Sequence, residues 1–281
     1  MKSMRFSVLT AVSAFGVVLC SCSQPETKTV AILKPAPDMD GEHNAAIVDA
    51  RLEDYGLAVH SVDFCGDSLY ITVPVDTDEK ELTMLTRFKG KLSFAPVVMP
   101  SEHQYDSIKS AIDYIKPGIV FPNTSPQLAY TIDDIDKAKI DSLFATPGIG
   151  EILPKGVVPA WSMKTKQYFL NNQADYLASV LYLIDTDEAI TVNVENSDYG
   201  NNDSFDYCYC GIKMDRAGAQ QFENLTTNNI GKPIAVIVDG YVMSSPVVNC
   251  PIEGGHAQIT GSYDMEIFKA LSIALKHPLK D

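Results

Sequence analysis

Two short apolar runs separated by Asp239-Gly240 constrain the fold of this chain more than any other feature. Residues 234–238 are an unbroken run of Ile, Ala and Val, and the run at 241–243 follows the Asp-Gly pair directly. A short run that is rich in β-branched residues and bounded by a turn signal is typical of a buried strand. Because a type I′ turn requires a positive φ angle at both central residues, this Asp-Gly pair predicts a tight β-hairpin.

The residues after the hairpin predict further turns and one more strand. Pro246 limits the second strand, since proline has no backbone N–H to donate to a neighbouring strand. Gly254-Gly255 indicates another turn, and residues 257–260 are typical of a third short strand. We therefore expect the stretch 229–261 to form a compact antiparallel meander.

The rest of the chain alternates between helical and strand periodicity, which predicts the α+β fold class. Apolar residues three and four positions apart predict helices at 42–55, 79–89, 102–115, 133–144, 215–226 and from Asp264 onward. Strand patterns occupy 68–75, 91–98, 180–184, 190–194 and 205–214, and residues 29–35 fit either a first strand or an extended lead-in. The polar run 196–203 predicts a loop, because it is rich in Gly, Asn, Asp and Ser.

The N-terminus has the composition of a targeting segment. A positively charged start precedes an apolar stretch at 6–19 that is too short for a membrane span. Leu19-Cys20-Ser21-Cys22 then resembles a lipobox, the motif that precedes a lipid-modified cysteine. This predicts a lipoprotein signal peptide at 1–21, lipid attachment at Cys22 and a tether at 22–28. The alternative is an ordinary secretory signal with incidental cysteines.

A lipid at Cys22 would place the protein outside the cytoplasm and hold it to a membrane of the cell envelope. Ser23 follows in place of the aspartate that retains many lipoproteins at the inner membrane, which slightly favours the outer membrane. No other run in the sequence is long and apolar enough to span a bilayer. We therefore expect a globular protein on the periplasmic side, anchored by its lipid.

Charge and cysteine spacing disfavour two classes of partner. The chain has 36 acidic and 22 basic residues, a formal charge of −14, which argues against nucleic acid as a partner. A zinc site would require Cys208, Cys210, Cys250 and His256 together, but their spacing matches no established zinc pattern. With Cys65, the four cysteines downstream of Cys22 allow three disulfide pairings, among which the sequence does not choose. We expect no metal and no cofactor.

A hydrolase interpretation of the same region is weak. Ser244, Ser245, His256 and Asp239 are the residue types of a catalytic triad. However, neither serine lies in a strained strand-to-helix turn of the kind that exposes a nucleophile. We expect the serines to stabilise a strand end, and we expect no catalytic residues.

The stretch 229–261 resembles the first periplasmic domain of SecD and SecDF, accessory membrane proteins of the Sec export machinery. The similar residues are Asn229-Ile230-Gly231-Lys232, the strand and turn at 234–240, Ser244-Ser245-Pro246-Val247-Val248, and Ile252 through Gly261. Earlier residues are similar to the base subdomain of the same family, namely Arg51-Leu52, Gly56-Leu57, Val73-Pro74 and Leu92-Ser93-Phe94.

The resemblance implies a ferredoxin-like base subdomain and an α+β head subdomain that contains the antiparallel meander. We expect a base-like subdomain at 29–99, a connecting helical region at 100–165 and a SecD head-like subdomain at 166–281. Family members continue into transmembrane helices that couple export to the proton gradient. We expect a stand-alone lipoprotein without those helices, which could not use the proton-motive force alone.

The resemblance also implies a function. We expect the module to assist export by transiently binding unfolded or nascent exported polypeptide, with Sec translocon components as partners, through an exposed strand edge. The alternative is an envelope adaptor that uses the same scaffold and has no direct role in translocation. The candidate residues for contact with polypeptide or partner are Asp239, Gly240, Tyr241, Ser244, Ser245, Pro246, Gly254, Gly255 and Gln258.

Overall fold

A computed structural model describes residues 26–33, 41–57, 60–66, 68–115, 127–131, 134–167, 176–202, 207–261 and 263–280. The predicted signal peptide and Cys22 lie outside these residues. The chain divides into two compact units, the first formed by Met1–Gly90 with Lys269–Asp281 and the second by Lys91–Phe268. No helix in the described ranges has the length and apolar character needed to cross a membrane.

Helices and strands are mixed along the described chain, as the predicted α+β class requires. The helices are α1 (Gly41–Tyr55), α2 (Glu79–Arg87), α3 (Glu102–Ile115), α4 (Asp134–Phe144), α5 (Arg216–Asn228) and α6 (Met265–Lys276). The strands are β1 (Thr27–Leu33), β2 (Ser61–Cys65), β3 (Ser68–Pro74), β4 (Leu92–Pro96), β5 (Ala129–Thr131), β6 (Val157–Trp161), β7 (Thr165–Gln167), β8 (Tyr176–Asp185), β9 (Ile190–Val192), β10 (Val194–Asn202), β11 (Tyr207–Met214), β12 (Ile234–Val238), β13 (Tyr241–Ser244) and β14 (His256–Thr260).

The first unit contains a three-stranded antiparallel sheet in the order β1-β3-β2. Val48 and Leu52 of α1 and Ile71 and Val73 of β3 are buried in its core. The order β1-α1-β2-β3-α2 is that of the first five elements of a ferredoxin-like fold. The strand expected at 91–98 within the base segment is β4, which lies in the second unit because β12 and β9 are its hydrogen-bonding partners.

Arg51 of α1 is fully buried in the first unit and binds the C-terminal ends of two helices. Its guanidinium donates to the carbonyls of Leu85 at 2.7 Å, Phe88 at 2.6 Å and His277 at 2.8 Å, and to those of Lys89 and Ala274 at 3.4 Å. These carbonyls lie in or just after the last turns of α2 and α6, where a helix has no donors of its own and its dipole is negative. The Arg51 guanidinium therefore provides hydrogen-bond donors for the C-terminal carbonyls of both helices.

The residues that follow α6 are held on α1 by side-chain contacts. Asn44 donates to the Lys280 carbonyl at 3.0 Å and accepts the Lys280 N–H at 2.9 Å. The Asp54 carboxylate is 2.8 Å from the side-chain nitrogens of both Lys276 and His277. The hydrogen bond from Lys276, followed by that from His277, lowers the pKa of Asp54 below its ordinary value.

Two sheets of the second unit close around one interior. Their strand orders are β13-β12-β4-β9 and β5-β8-β6, with β7 also paired to β8. Isolated bridges between Val97 and Ile184 and between Ser162 and Val242 join β4 to β8 and β6 to β13. The resulting ring of five strands has a narrow interior, which small side chains fill. These include Ala95, Ala160, Ala178 and Ala235, packed with the larger Tyr182.

Helices α3 and α4 cover the opposite face of β8. Their apolar residues share a buried cluster with β8 and with the tryptophan of β6, comprising Ile108, Ile112, Ile140, Phe144, Trp161, Leu181 and Leu183. The region 100–165, expected from the sequence as a helical connection, thus also supplies strands β5 and β6 to this sheet. These strands are short and were not evident from periodicity.

The third sheet has the order β10-β11-β14, and its strands are antiparallel. The predicted hairpin is confirmed as β12 and β13, and the predicted third strand exists as β14. The meander does not continue as expected, however, because β14 pairs with β11 and not with β13. This pairing places the fully buried Ile259 of β14 beside the fully buried Cys210 of β11.

The prediction of a loop at 196–203 is wrong, because residues 194–202 form strand β10. This strand lies at the edge of the sheet and most of its residues are exposed or half-buried. An edge strand of this kind obtains its backbone hydrogen bonds from its neighbour, here β11, and needs few apolar residues. Composition therefore indicated a loop where pairing produces a strand.

Candidate functional site

The hairpin turn holds three of the predicted contact residues, Asp239, Gly240 and Tyr241. Asp239 and Gly240 have φ angles of 51° and 84°, as a type I′ turn requires. The Asp239 carboxylate accepts the Lys91 N–H at 2.9 Å, and the Asp239 N–H donates to the Lys91 carbonyl at 3.0 Å. Asp239 therefore fixes the start of β4, whereas the Tyr241 side chain is 43% exposed.

The next three predicted residues, Ser244, Ser245 and Pro246, lie where β13 ends. The Ser245 side chain is hydrogen-bonded to the buried Tyr182, and burial raises the pKa of the Tyr182 hydroxyl. The Pro246 carbonyl accepts the N–H of Ile234 at 3.0 Å. These contacts hold the strand end in place and leave the Pro246 ring exposed.

Gly254 and Gly255 form the turn before β14, with φ angles of 75° and 69°. A Cβ on Gly255 would lie 2.6 Å from the Cβ of Ala219, whereas a Cβ on Gly254 would meet only the His256 ring, at 3.9 Å. The Gly255 carbonyl also accepts the N–H of Met214 at 2.9 Å. Gly255 therefore permits the turn to approach α5 closely, while Gly254 is required only for its backbone conformation.

The residues that have the side chains of a catalytic triad lie in separate parts of the second unit. Asp239 is bonded to the backbone of Lys91, and Ser245 is bonded to Tyr182. His256 lies on the exposed face of β14, in a different sheet from the hairpin. The structure therefore does not join these side chains in a nucleophile–base chain.

The predicted residue Gln258 lies on the outer face of the sheet β10-β11-β14, beside a groove of about 600 Å³. Directly opposite residues of antiparallel strands point to the same face. Register therefore places three rows on this face. The rows are Asn196, Lys213 and His256, then Asp198, Gly211 and Gln258, then Gly200, Tyr209 and Thr260.

Two positions of this face are glycines, and neighbouring side chains cover both of them. Gly211 stands at the centre of the three rows, and the carboxylate of Asp198 lies over it, in the space that a Cβ would occupy. Gly200 stands at a corner, and the ring of Tyr209 lies against it, with its hydroxyl 2.9 Å from where a Cβ would be. A side chain at either glycine would displace Asp198 or Tyr209 and change the floor of the groove.

The charged side chains that line the groove differ in whether they have an ion-pair partner. The Lys213 ammonium forms an ion pair with Glu195 at 3.1 Å. Within the described part of the chain, the carboxylate of Asp198 has no hydrogen-bond or ion-pair partner. The groove therefore presents one uncompensated negative charge at its centre, together with the Tyr209 hydroxyl and the Gln258 amide.

The structure thus distributes the predicted contact residues over the hairpin turn, the end of β13, the turn before β14 and the groove. Of these residues, Gln258 lines the groove. Asn196, Asp198, Tyr209 and Lys213, which also line it, were not among the predicted contacts. The alternation of β11 and its Gly211 would indicate these four residues only if residues 196–202 were identified as a strand that pairs with β11.

The groove adjoins β10, the outermost described strand of its sheet. Strand β10 is outermost in the sheet order β10-β11-β14, and no other described strand pairs with its far side. Every second residue of such a strand directs its N–H and C=O away from the sheet. These groups can pair with the backbone of an added strand without reading its sequence.

Comparison with known proteins gives consistent matches. Residues 169–278 match the family model of the SecDF P1 head subdomain. The chain is 34% identical over 101 residues to protein translocase subunit SecD of Calditerrivibrio nitroreducens, covering 36% of this chain and 20% of that protein. It is 28% identical over 162 residues to SecD of Endomicrobium trichonymphae, covering 55% of this chain and 31% of that protein.

The chain therefore spans less than a third of the length of either relative. A solved structure of SecDF, a membrane component that enhances protein export, is 16% identical, with a TM-score of 0.49 over 89% of this chain and 94% of that chain. The groove and all the predicted contact residues lie within the matched range 169–278, whereas the predicted lipid-attachment residue Cys22 lies outside it.

Proposed function

We propose that this chain, whose residues 169–278 match the family model of the SecDF P1 head subdomain, assists protein export by transiently binding unfolded polypeptide outside the cytoplasm. The family match is the observation on which the proposal rests. The SecD relatives are protein translocase subunits, and the matched segment contains both the groove and strand β10, the outermost described strand of its sheet. The chain spans 20% of the length of the SecD relative from Calditerrivibrio nitroreducens, so the proposal concerns polypeptide binding by this segment.

The outermost position of β10 among the described strands supports a role for extended chains in particular. A folded client has its backbone groups paired internally, whereas an unfolded segment can pair with β10. Backbone pairing is tolerant of sequence, as an export factor with many clients requires. In this proposal the protein binds and releases polypeptide and catalyses no bond change.

The proposed location is the periplasmic side of the cell envelope, with the protein held by a lipid on Cys22. The support is the lipobox-like Leu19-Cys20-Ser21-Cys22 together with the family match. Ser23 favours the outer membrane, and this favours a second candidate function. In that function the protein is an envelope adaptor that holds one partner and contacts neither exported chains nor translocon subunits.

Chemical cross-linking in intact cells separates the two functions. A tagged copy of the chain is cross-linked, purified under denaturing conditions, and its attached proteins are identified by mass spectrometry. The export function predicts translocon subunits together with a heterogeneous set of exported chains. A single envelope protein in stoichiometric amount, with neither of those, would refute the export function and support the adaptor. A Cys22→Ala variant that is released from membranes, while Cys20→Ala is retained, would verify the lipid position.

A further inference from the structure

Strand β14 is the other outermost strand of the sheet β10-β11-β14, and its pairing with β11 determines which of its backbone groups face outward. The Met214 N–H donates to the Gly255 carbonyl, and in antiparallel strands every second residue bonds to the partner. Ala257 and Ile259 therefore bond to β11. The alternate residues direct their N–H and C=O groups away from the sheet. These residues are His256, Gln258 and Thr260.

The outward backbone groups of β14 have no hydrogen-bond partner within the described part of the chain. Two of the three residues are exposed, and the third, Thr260, is half-buried. At the opposite side of the same sheet, Ser197, Asn201 and Asn202 of β10 take part in further interactions. Strand β14 is therefore the edge at which an added strand can extend this sheet.

The length of this edge indicates which kind of occupant it fits. The five residues of β14 are about 17 Å long and a sheet is about 10 Å thick, so pairing along the edge buries about 170 Å² on each partner. A stable protein–protein interface buries about 1,200 Å² or more in total. The edge is therefore too small to hold a second folded copy of the chain, and it fits a transiently bound segment whose own backbone groups are unpaired.

The two faces of the sheet determine the side chains that suit this position. In an antiparallel addition, residues opposite Ala257 and Ile259 would lie on the same face as these two side chains. On that face Ile259 and Ile212 are buried, whereas Ala257, the row partner of Ile212, is only half-buried. An apolar side chain in the added strand would cover Ala257. The alternate residues of the added strand would lie on the outer face, beside exposed polar side chains.

We infer that β14 receives an extended polypeptide segment as an added antiparallel strand, with apolar residues beside Ala257 and Ile259 and polar residues on the outer face. Antiparallel pairing continues the arrangement of this sheet and is slightly more stable per residue than parallel pairing. The inference rests on the proposed function, because it specifies the strand and the residue pattern through which polypeptide is bound. In this geometry the polar residues of the segment carry the N–H groups that bond to β14.

Fluorescence anisotropy with the purified full chain tests this geometry through the backbone of the ligand. The probes are three labelled peptides of alternating Val and Thr, one unmodified, one N-methylated at the threonines and one N-methylated at the valines. Methylation at Thr removes the N–H groups that bond to β14, so we expect the affinity to fall about 10-fold or more. Methylation at Val changes only the far edge of the bound peptide, so it should weaken binding less than about 2-fold.

A substitution at Gln258 tests the same edge from the side of the protein. Gln258→Pro removes an N–H that faces away from β11, and an edge strand tolerates proline at such a position. We expect this variant to bind the unmodified peptide about 3- to 10-fold more weakly. Gln258→Ala also lacks the glutamine side chain but keeps the N–H, so it should retain most of the affinity. Circular dichroism spectra that match the wild type would verify that both variants fold.

Hydrogen exchange of individual amides is a measurement that requires no variant. In the free chain, the amides of Ala257 and Ile259 should exchange slowly, and those of His256, Gln258 and Thr260 should exchange rapidly. A saturating amount of the unmodified peptide should slow exchange at the latter three. Slow exchange at these three in the free chain, increasing with protein concentration, would indicate pairing between two copies and would overturn the inference.

The possible results separate the inference from the proposed function. If the Val-methylated peptide binds no better than the Thr-methylated one, or if bound peptide leaves the three outward amides unprotected, the inference is overturned while polypeptide binding stands. Binding of none of the peptides would overturn both. Selective loss on Thr methylation, together with protection of the outward amides, would support both.

Discussion

Replacing Arg51 with methionine should destabilise the first unit severely, although the substitution keeps much of the side-chain volume. Arg51 is fully buried and makes three hydrogen bonds of 2.6 to 2.8 Å to backbone carbonyls, with two more at 3.4 Å. Methionine has no donor, so the variant would leave these carbonyls at the ends of α2 and α6 without their partner.

The magnitude follows from the three short bonds. A hydrogen bond to a charged group contributes about 1.5 to 3 kcal/mol, and an orphaned buried acceptor costs about 1 to 3 kcal/mol. The variant also avoids the burial of a charge, which offsets part of this loss. We therefore expect the free energy of unfolding to fall by about 3 to 5 kcal/mol, a large share of the typical stability of a domain. Arg51→Lys keeps the charge but not the planar fork of donors, and should lose an intermediate amount.

Urea unfolding followed by far-ultraviolet circular dichroism measures the change. Trp161, the single tryptophan of the sequence, lies in the second unit, so its fluorescence reports that unit separately. Arg216→Met is the matched control, because Arg216 is exposed and its loss should change stability by less than about 0.5 kcal/mol. An Arg51→Met variant within about 1 kcal/mol of the wild type would refute the argument that this cation satisfies the two helix ends.

Three further predictions concern the glycine turn before β14, the hairpin residue Asp239 and the carboxylate of Asp54. Gly255→Ala should lower the free energy of unfolding by about 2 to 4 kcal/mol, and Gly254→Ala by only about 1 to 2 kcal/mol. Both glycines have a positive φ angle, but only a side chain at position 255 would contact α5. Equal losses of stability in urea unfolding would contradict this steric argument. Asp239→Ala should lose about 1 to 2 kcal/mol, while Asp239→Asn, which tolerates positive φ and can still accept a hydrogen bond, should stay close to the wild type. The pKa of the Asp54 carboxylate lies below its usual 3.8. Its contribution to the free energy of unfolding is therefore complete above pH 3.8 and is lost progressively as the pH falls through the lowered pKa. Asp54→Asn should therefore show a smaller fall in urea midpoint on acidification than the exposed control Glu53→Gln, and equal falls would contradict the assignment.

Local patterns were sufficient where the fold depends on neighbouring residues. The hairpin of β12 and β13 followed from the apolar run at 234–238 and from Asp239-Gly240, because strand propensity and turn chemistry act within ten residues. The helices followed equally from apolar periodicity. The α+β class could therefore be predicted without any knowledge of long-range contacts.

Features that depend on contacts between distant residues could not be predicted from local sequence patterns. Strand β10 is polar and resembles a loop, and its pairing with β11 gives it its structure. Strand β14 pairs with β11 and not with its chain neighbour β13, and this pairing buries Ile259 beside Cys210. The buried state of Arg51 also depends on carbonyls as distant in sequence as His277.

The candidate groove illustrates the same limit. Gln258 was predicted as a contact residue because it lies in the resemblance to SecD. Its row partners Asp198 and Gly211 were not, since their meeting depends on the register of three strands. Register is set by tertiary packing, so the position of Gly211 between Asp198 and Gln258 can be identified only from the folded sheet.

Site-specific photo-cross-linking in cells tests the central claim most directly. A photo-cross-linking amino acid would replace Gln258 beside the groove, or Glu188 outside it as the control. The proposed function predicts that position 258 captures a heterogeneous set of newly exported chains and that position 188 captures far fewer. Equal capture at both positions, or capture of one envelope protein alone from position 258, would contradict the claim that this face binds exported polypeptide.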